Sequence, residues 1–192
     1  MVVDYVVILA GGNSRRMGRD KLDLTIDGRT LLESVVIRFS EVFEEVFISV
    51  ADETKYPHIK ARRIVDIVPG AGPLSGMHAA LTALTGDGFF LVAADLPYAC
   101  PIAAKRVIEL CGDSDASIVR LPDGRLEPLF GYYRKTLLAR CEAALKSGDF
   151  RLTEVLSGAK VRYVSQSDLG ELWDEKMIFN INYPEDYEKL QK

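Results

Sequence analysis

The fold of this chain is decided by the stretch Val2-Val3-Asp4-Tyr5-Val6-Val7-Ile8-Leu9-Ala10-Gly11-Gly12. Its near-continuous apolar run predicts a strand over 3–10 that is buried on both faces, as central parallel strands are. Because glycine has no Cβ, the pair Gly11-Gly12 lets backbone N–H groups come close to a ligand. Arginines at 15 and 16 and a lysine at 21 follow in the loop. N–H donors and converging cations suit a polyphosphate, so we predict a nucleoside triphosphate site at 11–21.

The rest of the chain alternates between strand-like and helix-like patterns. Strands are predicted at 46–50, 63–68, 88–94, 116–120, 129–133 and 161–165, and helices at 30–42, from Pro73, from Pro101 to about 111, and at 135–146, 151–157 and 184–190. The β-α-β order of the first half predicts a right-handed, doubly wound, mostly parallel sheet. We therefore expect a three-layer α/β fold in a single domain over 1–192.

The composition argues against a polymer or membrane partner. At 192 residues the chain is long enough for one domain with a sizeable core. Its net charge of -4 disfavours nucleic acid, which selects a basic face. No stretch approaches the roughly 20 apolar residues of a membrane span. The three cysteines show no CxxC spacing and the N-terminus lacks a basic signal region, so we expect reduced thiols and a cytoplasmic protein.

Three polar loops are predicted to meet at one edge of the sheet. They are 11–21 after the first strand, 66–76 after the third, and the segment at Asp95 after the fourth. Ligands of open α/β sheets bind beyond the carboxyl ends of the strands, so this convergence predicts a binding site. Asp95 is a candidate for holding Mg²⁺, which usually binds through one or two carboxylates and substrate phosphates. The alternative is that Asp95 caps the turn before Pro97.

Three further features have a structural interpretation beside the functional one. The segment 72–76, Gly-Pro-Leu-Ser-Gly, either wraps a base or is a plain helix start with proline in the first turn. Asp66 either binds a base edge or only terminates a strand. Glu127, which precedes Pro128, is interpreted as a surface charge.

The spacing of the first loop disfavours two large enzyme classes. It is neither Gly-x-Gly-x-x-Gly nor a Walker A motif, because Gly18 is followed by Arg-Asp-Lys. A dinucleotide-dependent oxidoreductase and a P-loop hydrolase are therefore both poor interpretations.

Five elements along the chain carry a resemblance to a known family. They are Leu9-Ala10-Gly11-Gly12-x-Ser14-x-Arg16-Met17-Gly18-x-Asp20-Lys21, then Asp66 with Gly72-Pro73-Leu74-Ser75-Gly76, then Ala94-Asp95-Leu96-Pro97, Glu127-Pro128-Leu129-Phe130 and Phe179-Asn180-Ile181-Asn182-Tyr183-Pro184-Glu185-Asp186-Tyr187. Together they resemble the molybdenum cofactor guanylyltransferases, a group within a wider nucleotidyltransferase family. The resemblance implies that family's Rossmann-like α/β fold, which is similar to that of nucleotide-diphospho-sugar transferases. One departure is Ala51, where the family often has Asn.

The resemblance also implies roles for individual residues. Arg16, Lys21 and Asp95 would be catalytic, with the two cations on the phosphates and Asp95 holding Mg²⁺. The nucleotide would be bound by Leu9, Ala10, Gly11, Gly12, Lys21, Asp66, Gly72, Pro73, Leu74 and Asp95. Asn180 and Asn182 would face the pterin acceptor; the alternative is that they cap the last turn and helix. Residues up to about 97 would thus bind the nucleotide, and the remainder would bind the acceptor.

The implied activity is a Mg²⁺-dependent transfer of GMP from GTP to Mo-molybdopterin, with release of pyrophosphate. Other proteins of molybdenum cofactor biosynthesis, or the apo-enzymes, are candidate partners. Two alternatives stay open at this point. One is a cytidylyltransferase acting on the same pterin or on a sugar or isoprenoid phosphate. The other is a module that binds nucleotide or cofactor without turnover.

Overall fold

The computed structural model describes residues 5–11, 21–26, 28–181 and 186–187. The strands are β1 (Tyr5–Leu9), β2 (Thr25–Ile26), β3 (Arg29–Thr30), β4 (Glu45–Val50), β5 (Arg62–Val65), β6 (Gly88–Ala93), β7 (Ala116–Arg120), β8 (Leu126–Arg134) and β9 (Val161–Val164). The α-helices are α1 (Leu31–Ser40), α2 (Pro73–Ala83), α3 (Pro101–Leu110), α4 (Leu138–Ser147), α5 (Leu152–Leu156) and α6 (Gln166–Leu169). Short 3-10 helices span Lys21–Asp23, Lys135–Leu137, Gly170–Leu172 and Glu175–Ile178.

Seven strands form one sheet in the order β5-β4-β1-β6-β8-β7-β9, and β2 pairs separately with β3. β1 is parallel to both of its neighbours, β4 and β6, and β5 is parallel to β4. β8 is antiparallel to β6 and β7, while β9 is parallel to β7. The carboxyl ends of six strands therefore lie at one edge of the sheet, together with the start of β8. This arrangement confirms the predicted mostly parallel α/β sheet.

The side chains of β1 alternate between two cores, one on each face of the sheet. Val6 and Ile8 belong to a core that includes buried residues of α1 and α3. Val7 and Leu9 belong to a second core, with buried residues of α2, α4 and α5. Since successive side chains of a strand point to opposite faces, a strand covered on both sides must be apolar throughout. The two helical layers confirm the doubly wound, three-layer prediction.

The first two helices form where the sequence predicts them. The Thr30 hydroxyl caps α1 by accepting a hydrogen bond from the Glu33 N–H at 3.1 Å. The predicted apolar stripe of α1 is buried, namely Leu31, Leu32, Val35, Val36 and Phe39. Burying each such side chain contributes about 1.5–3 kcal/mol. α2 begins with Pro73 in its first turn, where the missing N–H costs nothing.

β5 ends at Val65, so the prediction that this strand continues to Val68 is wrong. Ile67 and Val68 are 55% and 38% exposed, in a bend outside the sheet. The chain turns away at Gly70, whose φ of 91° is a left-handed conformation that glycine adopts without strain. As a result Asp66 stands directly at the carboxyl end of the strand.

β8 is longer than the predicted 129–133 because the sheet accommodates Pro128 in a bulge. Ile118 of β7 pairs with Gly131, whereas the next residue, Val119, pairs with Glu127. Residues 128–130 therefore have no partner on β7 and form a bulge in the pairing with that strand. A proline, which lacks the N–H for a ladder bond, is tolerated at such a bulge.

The described part of the second half contains one α-helix that was not predicted, α6, followed by two unpredicted 3-10 helices at Gly170–Leu172 and Glu175–Ile178. α6 has only four residues, so it shows no helical periodicity in the sequence. It is stabilised by a capping box between Ser165 and Asp168. The helix predicted at 135–146 is a 3-10 turn followed by α4. The helix predicted at 184–190 lies outside the described residues, except that 186–187 are helical.

The cysteines belong to the packed interior rather than to a chemical site. Cys111 and Cys141 are buried, Cys100 is half-buried, and all three are free thiols. Among the described helices, none combines the length and the apolar character needed to cross a membrane.

Candidate active site

The carboxyl end of β1 is held between its two neighbouring strands. The Ala94 N–H donates to the Leu9 carbonyl at 3.1 Å, and the Ala10 N–H donates to the Ser49 carbonyl at 2.9 Å. Gly11 follows immediately and is exposed, and a Cβ built on it would meet no described atom within 4 Å. Open space beside a glycine backbone is what the predicted nucleotide contact requires.

Three distant segments of the chain meet at Asp95. Lys21 Nζ donates to Asp95 Oδ2 at 2.5 Å and to the Ile181 carbonyl oxygen at 3.0 Å. In return the Ile181 N–H donates to the Asp95 carbonyl oxygen at 3.1 Å. The side chains of Lys21 and Asp95 are 20% and 17% exposed, so their ion pair is largely shielded from water. The predicted phosphate lysine, the predicted metal carboxylate and the C-terminal motif thus lie together.

Asp95 also has an oxygen that fits a divalent cation. Its Oδ1 is buried and has no hydrogen-bond partner among the described residues. A buried acceptor left unsatisfied costs free energy unless a ligand or water completes it. Carboxylate oxygens are the hard donors that Mg²⁺ prefers, usually in combination with substrate phosphates. The donor chemistry at this position therefore fits the Mg²⁺ that the resemblance implies.

Asp66 lies at the carboxyl end of β5, beside the end of β4. The Ser49 hydroxyl donates to Asp66 Oδ1 at 3.3 Å. Burial raises the pKa of Asp66, while the hydrogen bond from Ser49 acts in the opposite direction. Gly76 of α2 reaches the same place, since a Cβ on it would lie 2.4 Å from Ser49 Oγ and 2.5 Å from Leu9 Cδ2. Glycine at 76 thus lets α2 approach the strand ends closely.

The turn that leads into α2 is held by Ser75. Its Oγ accepts a hydrogen bond from the Ala71 N–H at 3.0 Å, and its own N–H donates to the Gly72 carbonyl at 3.0 Å. Gly72 has φ 60° and ψ -137°, a backbone conformation that residues other than glycine adopt only with strain. Gly72 and Pro73 are exposed at the edge, whereas Leu74 is fully buried. The Leu74 side chain therefore packs in the core rather than lining the edge.

Glu127 also lies at this edge, although its position in the sequence was interpreted only as a surface charge. It is half-buried instead of being a freely solvated surface charge, and its Oε1 accepts a hydrogen bond from the Leu129 N–H at 3.2 Å. Burial raises its pKa, and the negative charge of Asp95 raises it further. The Leu129 N–H and the Arg125 charge oppose that shift in pKa. The hints in the sequence were a carboxylate directly before a strand proline and its place in one of the five elements that carry the family resemblance.

The C-terminal motif and the first loop are described only in part. Asn180 is half-buried, and Ile181 beside it is fully buried. Asn182, Gly12 and Arg16 lie outside the described residues. The roles that the resemblance implies for these three residues stay predictions.

Comparison with known proteins gives relatives that match nearly the whole chain. Residues 6–164 match a family model described as the MobA-like NTP transferase domain. A Pelotomaculum thermopropionicum protein named "Probable molybdenum cofactor guanylyltransferase" is 36% identical, covering 96% of this chain and 90% of its own length. A protein of the same name from Carboxydothermus hydrogenoformans is 31% identical, covering 97% and 94%.

Solved structures show the same fold. The molybdopterin-guanine dinucleotide biosynthesis protein A from Archaeoglobus fulgidus superposes with a TM-score of 0.85 at 27% identity, over 97% of this chain and 96% of that one. The 2-C-methyl-D-erythritol 4-phosphate cytidylyltransferase from Thermus thermophilus has a TM-score of 0.70 at 20% identity, over 100% and 98%, and shares the fold alone. These matches confirm the resemblance predicted from the five sequence elements. With its family match over residues 6–164, the chain belongs to the MobA-like NTP transferase family.

Proposed function

We propose that this protein transfers GMP from GTP to the terminal phosphate of Mo-molybdopterin and releases pyrophosphate. The product is the molybdopterin guanine dinucleotide form of the cofactor. The observation that carries the proposal is the meeting of Lys21, Asp95 and Ile181 at the carboxyl edge of the sheet. The names of the relatives at 36% and 31% identity support the choice of guanylyl transfer.

The nucleotide half of the proposed site lies on the β5-β4-β1-β6 side of the sheet. GTP would lie against the backbone of Leu9, Ala10 and Gly11, where the exposed glycine leaves room. Asp66 and the exposed turn at Gly72 and Pro73 would frame the base and ribose. The resemblance implies that Gly12 and Arg16, which lie outside the described residues, would complete this half, with the Arg16 guanidinium on the phosphates.

Asp95 would hold Mg²⁺ through Oδ1, which has no hydrogen-bond partner among the described residues. Bound there, the ion would neutralise negative charge on the GTP phosphates. Lys21 occupies the other carboxylate oxygen, and its ammonium group is within reach of any phosphate that binds at Asp95. Lys21 thereby supplies a positive charge where the leaving pyrophosphate gains a negative one.

The proposed reaction does not require a general base from the protein. An oxygen of the acceptor phosphate is already an anion at neutral pH, so it can form the new bond to the α-phosphorus without a general base. The bond from the α-phosphorus to the bridging oxygen breaks, and its electron pair leaves with pyrophosphate. Catalysis then rests on positioning and on charge neutralisation, as in other phosphoryl-group chemistry.

The acceptor would lie on the other side of Asp95. The Ile181 backbone is hydrogen-bonded both to Asp95 and to Lys21, so the segment carrying Asn180 lies beside the two residues proposed to bind Mg²⁺ and phosphate. We propose Asn180 and Asn182 as amide donors and acceptors for the pterin, whose ring edge carries both kinds of group.

The nucleotide preference is tested by calorimetric titration with GTP, CTP and ATP in the presence of Mg²⁺. We expect GTP to bind at least tenfold more tightly than the other two. A preference for CTP would instead support a cytidylyltransferase, which has the same fold.

Turnover is tested by measuring pyrophosphate release from GTP with and without Mo-molybdopterin. We expect release only when the acceptor is present, with one dinucleotide formed per pyrophosphate. Tight binding of GTP without pyrophosphate release would support a carrier and would contradict the proposed reaction.

A further inference from the structure

Glu127 lies beside Asp95 at the carboxyl edge of the sheet. β6 and β8 are antiparallel, and Val92 of β6 pairs with Phe130 of β8. Asp95 comes three residues after Val92, in the turn that follows β6, and Glu127 comes three residues before Phe130, near the start of β8. The two side chains are close enough for the negative charge of Asp95 to raise the pKa of Glu127.

The position of Glu127 is built into the fold. The bulge at 128–130 turns this part of β8 out of the β7 ladder, and bulges commonly re-aim side chains next to active sites. The bulge is anchored by the fully buried Tyr133, whose hydroxyl donates to the Pro128 carbonyl at 2.5 Å. The Leu129 N–H donates a hydrogen bond to Glu127 Oε1 at 3.2 Å, which fixes the position of the carboxylate. Glu127 is thus fixed on a rigid element rather than on a free loop.

No ion pair with a described residue explains why a carboxylate is present here, although the charge of Arg125 acts on it from a distance. Among the described residues, Glu127 forms no ion pair, and the nearby Arg125 instead pairs with Asp123 at 2.6 Å. A half-buried carboxylate without such a partner costs folding free energy. Groups retained at a cost in a binding cleft are candidates for function.

The topology indicates which substrate Glu127 meets. The other two nucleotide loops follow β1 and β5, which lie on one side of β6, the strand that leads into Asp95. Glu127 lies on β8, the next strand on the opposite side. If the donor nucleotide binds on the β1 side of Asp95, the space on the β8 side is available for the acceptor.

We propose that Glu127 orients the acceptor by accepting hydrogen bonds from N–H or O–H groups of its ring system. This inference rests on the proposed function, in which the acceptor is a pterin with ring N–H donors. The charge of Glu127 also repels phosphate, so the acceptor phosphate is directed away from β8 and toward Lys21. Glu127 is therefore a positioning and specificity residue for the acceptor rather than a ligand of the nucleotide.

The test compares Glu127→Gln with Asp123→Asn in the full chain. Glutamine has nearly the same shape and still offers an oxygen to the Leu129 N–H, so the fold is preserved while the charge is lost. Asp123→Asn removes a charge from an exposed turn just outside the site. We expect Glu127→Gln to raise the KM for Mo-molybdopterin about tenfold, equivalent to about 1.4 kcal/mol. The kcat and the affinity for GTP should stay near those of the wild type, and the melting temperature should not fall, because the variant removes a half-buried charge. Every parameter of Asp123→Asn should stay near that of the wild type.

Direct binding measurements distinguish an acceptor role of Glu127 from a role in binding metal or nucleotide. Mn²⁺ affinity, measured by electron paramagnetic resonance with and without GTP, should not change in Glu127→Gln. A clear loss of Mn²⁺ or GTP affinity would overturn the assignment in favour of a metal or nucleotide role, and an unchanged acceptor KM would also overturn it. If the wild type shows no turnover, the proposed function fails, but fluorescence titration of molybdopterin still decides about Glu127. Equal molybdopterin affinity in variant and wild type would then reject its role.

Discussion

Lys21 and Asp95 are 74 residues apart in the chain, yet Lys21 Nζ lies 2.5 Å from Asp95 Oδ2. The same ammonium group reaches the Ile181 carbonyl oxygen at 3.0 Å. One lysine thus links the end of the first loop, the end of β6 and the C-terminal motif. The arrangement places a cation beside the carboxylate proposed for Mg²⁺, in the position where phosphates would bind.

We expect Lys21→Met to lower kcat for GMP transfer by a factor of about 10²–10³, the usual effect of removing one group that stabilises transition-state charge. Asp95→Asn should cause a loss of at least the same size. Lys160→Met is the matched control, because Lys160 makes a 2.5 Å ion pair with Asp113 that is largely exposed and separate from the site. That variant should keep full activity in the pyrophosphate-release assay. Near-normal turnover of Lys21→Met would remove Lys21 from the catalytic set.

The ion pair also predicts competition between Lys21 and a metal ion for Asp95. In the absence of nucleotide, Lys21→Met should bind Mn²⁺ several-fold more tightly than the wild type, because the carboxylate loses its internal counter-charge. Asp95→Asn should no longer bind Mn²⁺ at this position. Titration followed by electron paramagnetic resonance measures both affinities. Weaker Mn²⁺ binding in Lys21→Met would show that the lysine supports the metal site instead of competing with it.

Two glycines of the site should respond to alanine in different ways. Gly76→Ala should destabilise the protein by about 1–3 kcal/mol, because overpacking forces shifts in a tight contact and its Cβ would lie 2.4 Å from Ser49 Oγ. Gly11→Ala should leave the melting temperature unchanged, since no described atom lies within 4 Å of the new Cβ. We expect it to weaken GTP binding, because the methyl group occupies the space beside the backbone. Thermal melts and calorimetric titration check the pair, and unaltered GTP binding by Gly11→Ala would contradict the proposed cradle.

Asp66 makes stability depend on pH in a defined direction. Its pKa is raised by burial above the ordinary value of 3.8. The ionised form is therefore disfavoured in the folded state, and the stability contribution of this group is lost as pH rises through the folded pKa. Asp66→Asn should melt at a higher temperature than the wild type at neutral pH, and the difference should shrink as pH falls through the folded pKa and vanish below the ordinary pKa of 3.8. Its affinity for GTP should fall, so a variant that is both more stable and fully active would contradict a binding role.

The cysteines should differ in their reactivity toward iodoacetamide. Burial raises the pKa of the Cys141 thiol to about 12, so almost none is present as the reactive thiolate at neutral pH. Cys111 is buried as well, whereas Cys100 is half-buried. We expect Cys100 to be alkylated first and Cys141 to react only after unfolding in guanidinium, as followed by peptide mass spectrometry. Rapid labelling of Cys141 in the folded protein would indicate that α4 opens locally.

Much of the fold and part of the site could be predicted from local sequence. The runs at Tyr5–Leu9 and Gly88–Ala93 are apolar at nearly every position, which is possible only for strands covered on both faces. Such strands are parallel and central, so the loops that follow them had to meet at one edge. The local pattern was less informative at Val68 and Pro128, where a glycine turn and a bulge decided the strand ends.

The sequence by itself therefore determined the α/β class and the edge of the sheet at which the polar loops meet, and it supplied the residues that we propose for a phosphate and metal site. Tertiary structure alone decided which of those residues touch. The Lys21–Asp95 contact depends on the separate paths of two loops, and the placement of Glu127 beside Asp95 depends on the pairing of β6 with β8 and on a bulge. These contacts join segments that are distant in the chain, and strand register depends on which faces are buried together, so the local pattern of one segment does not fix them.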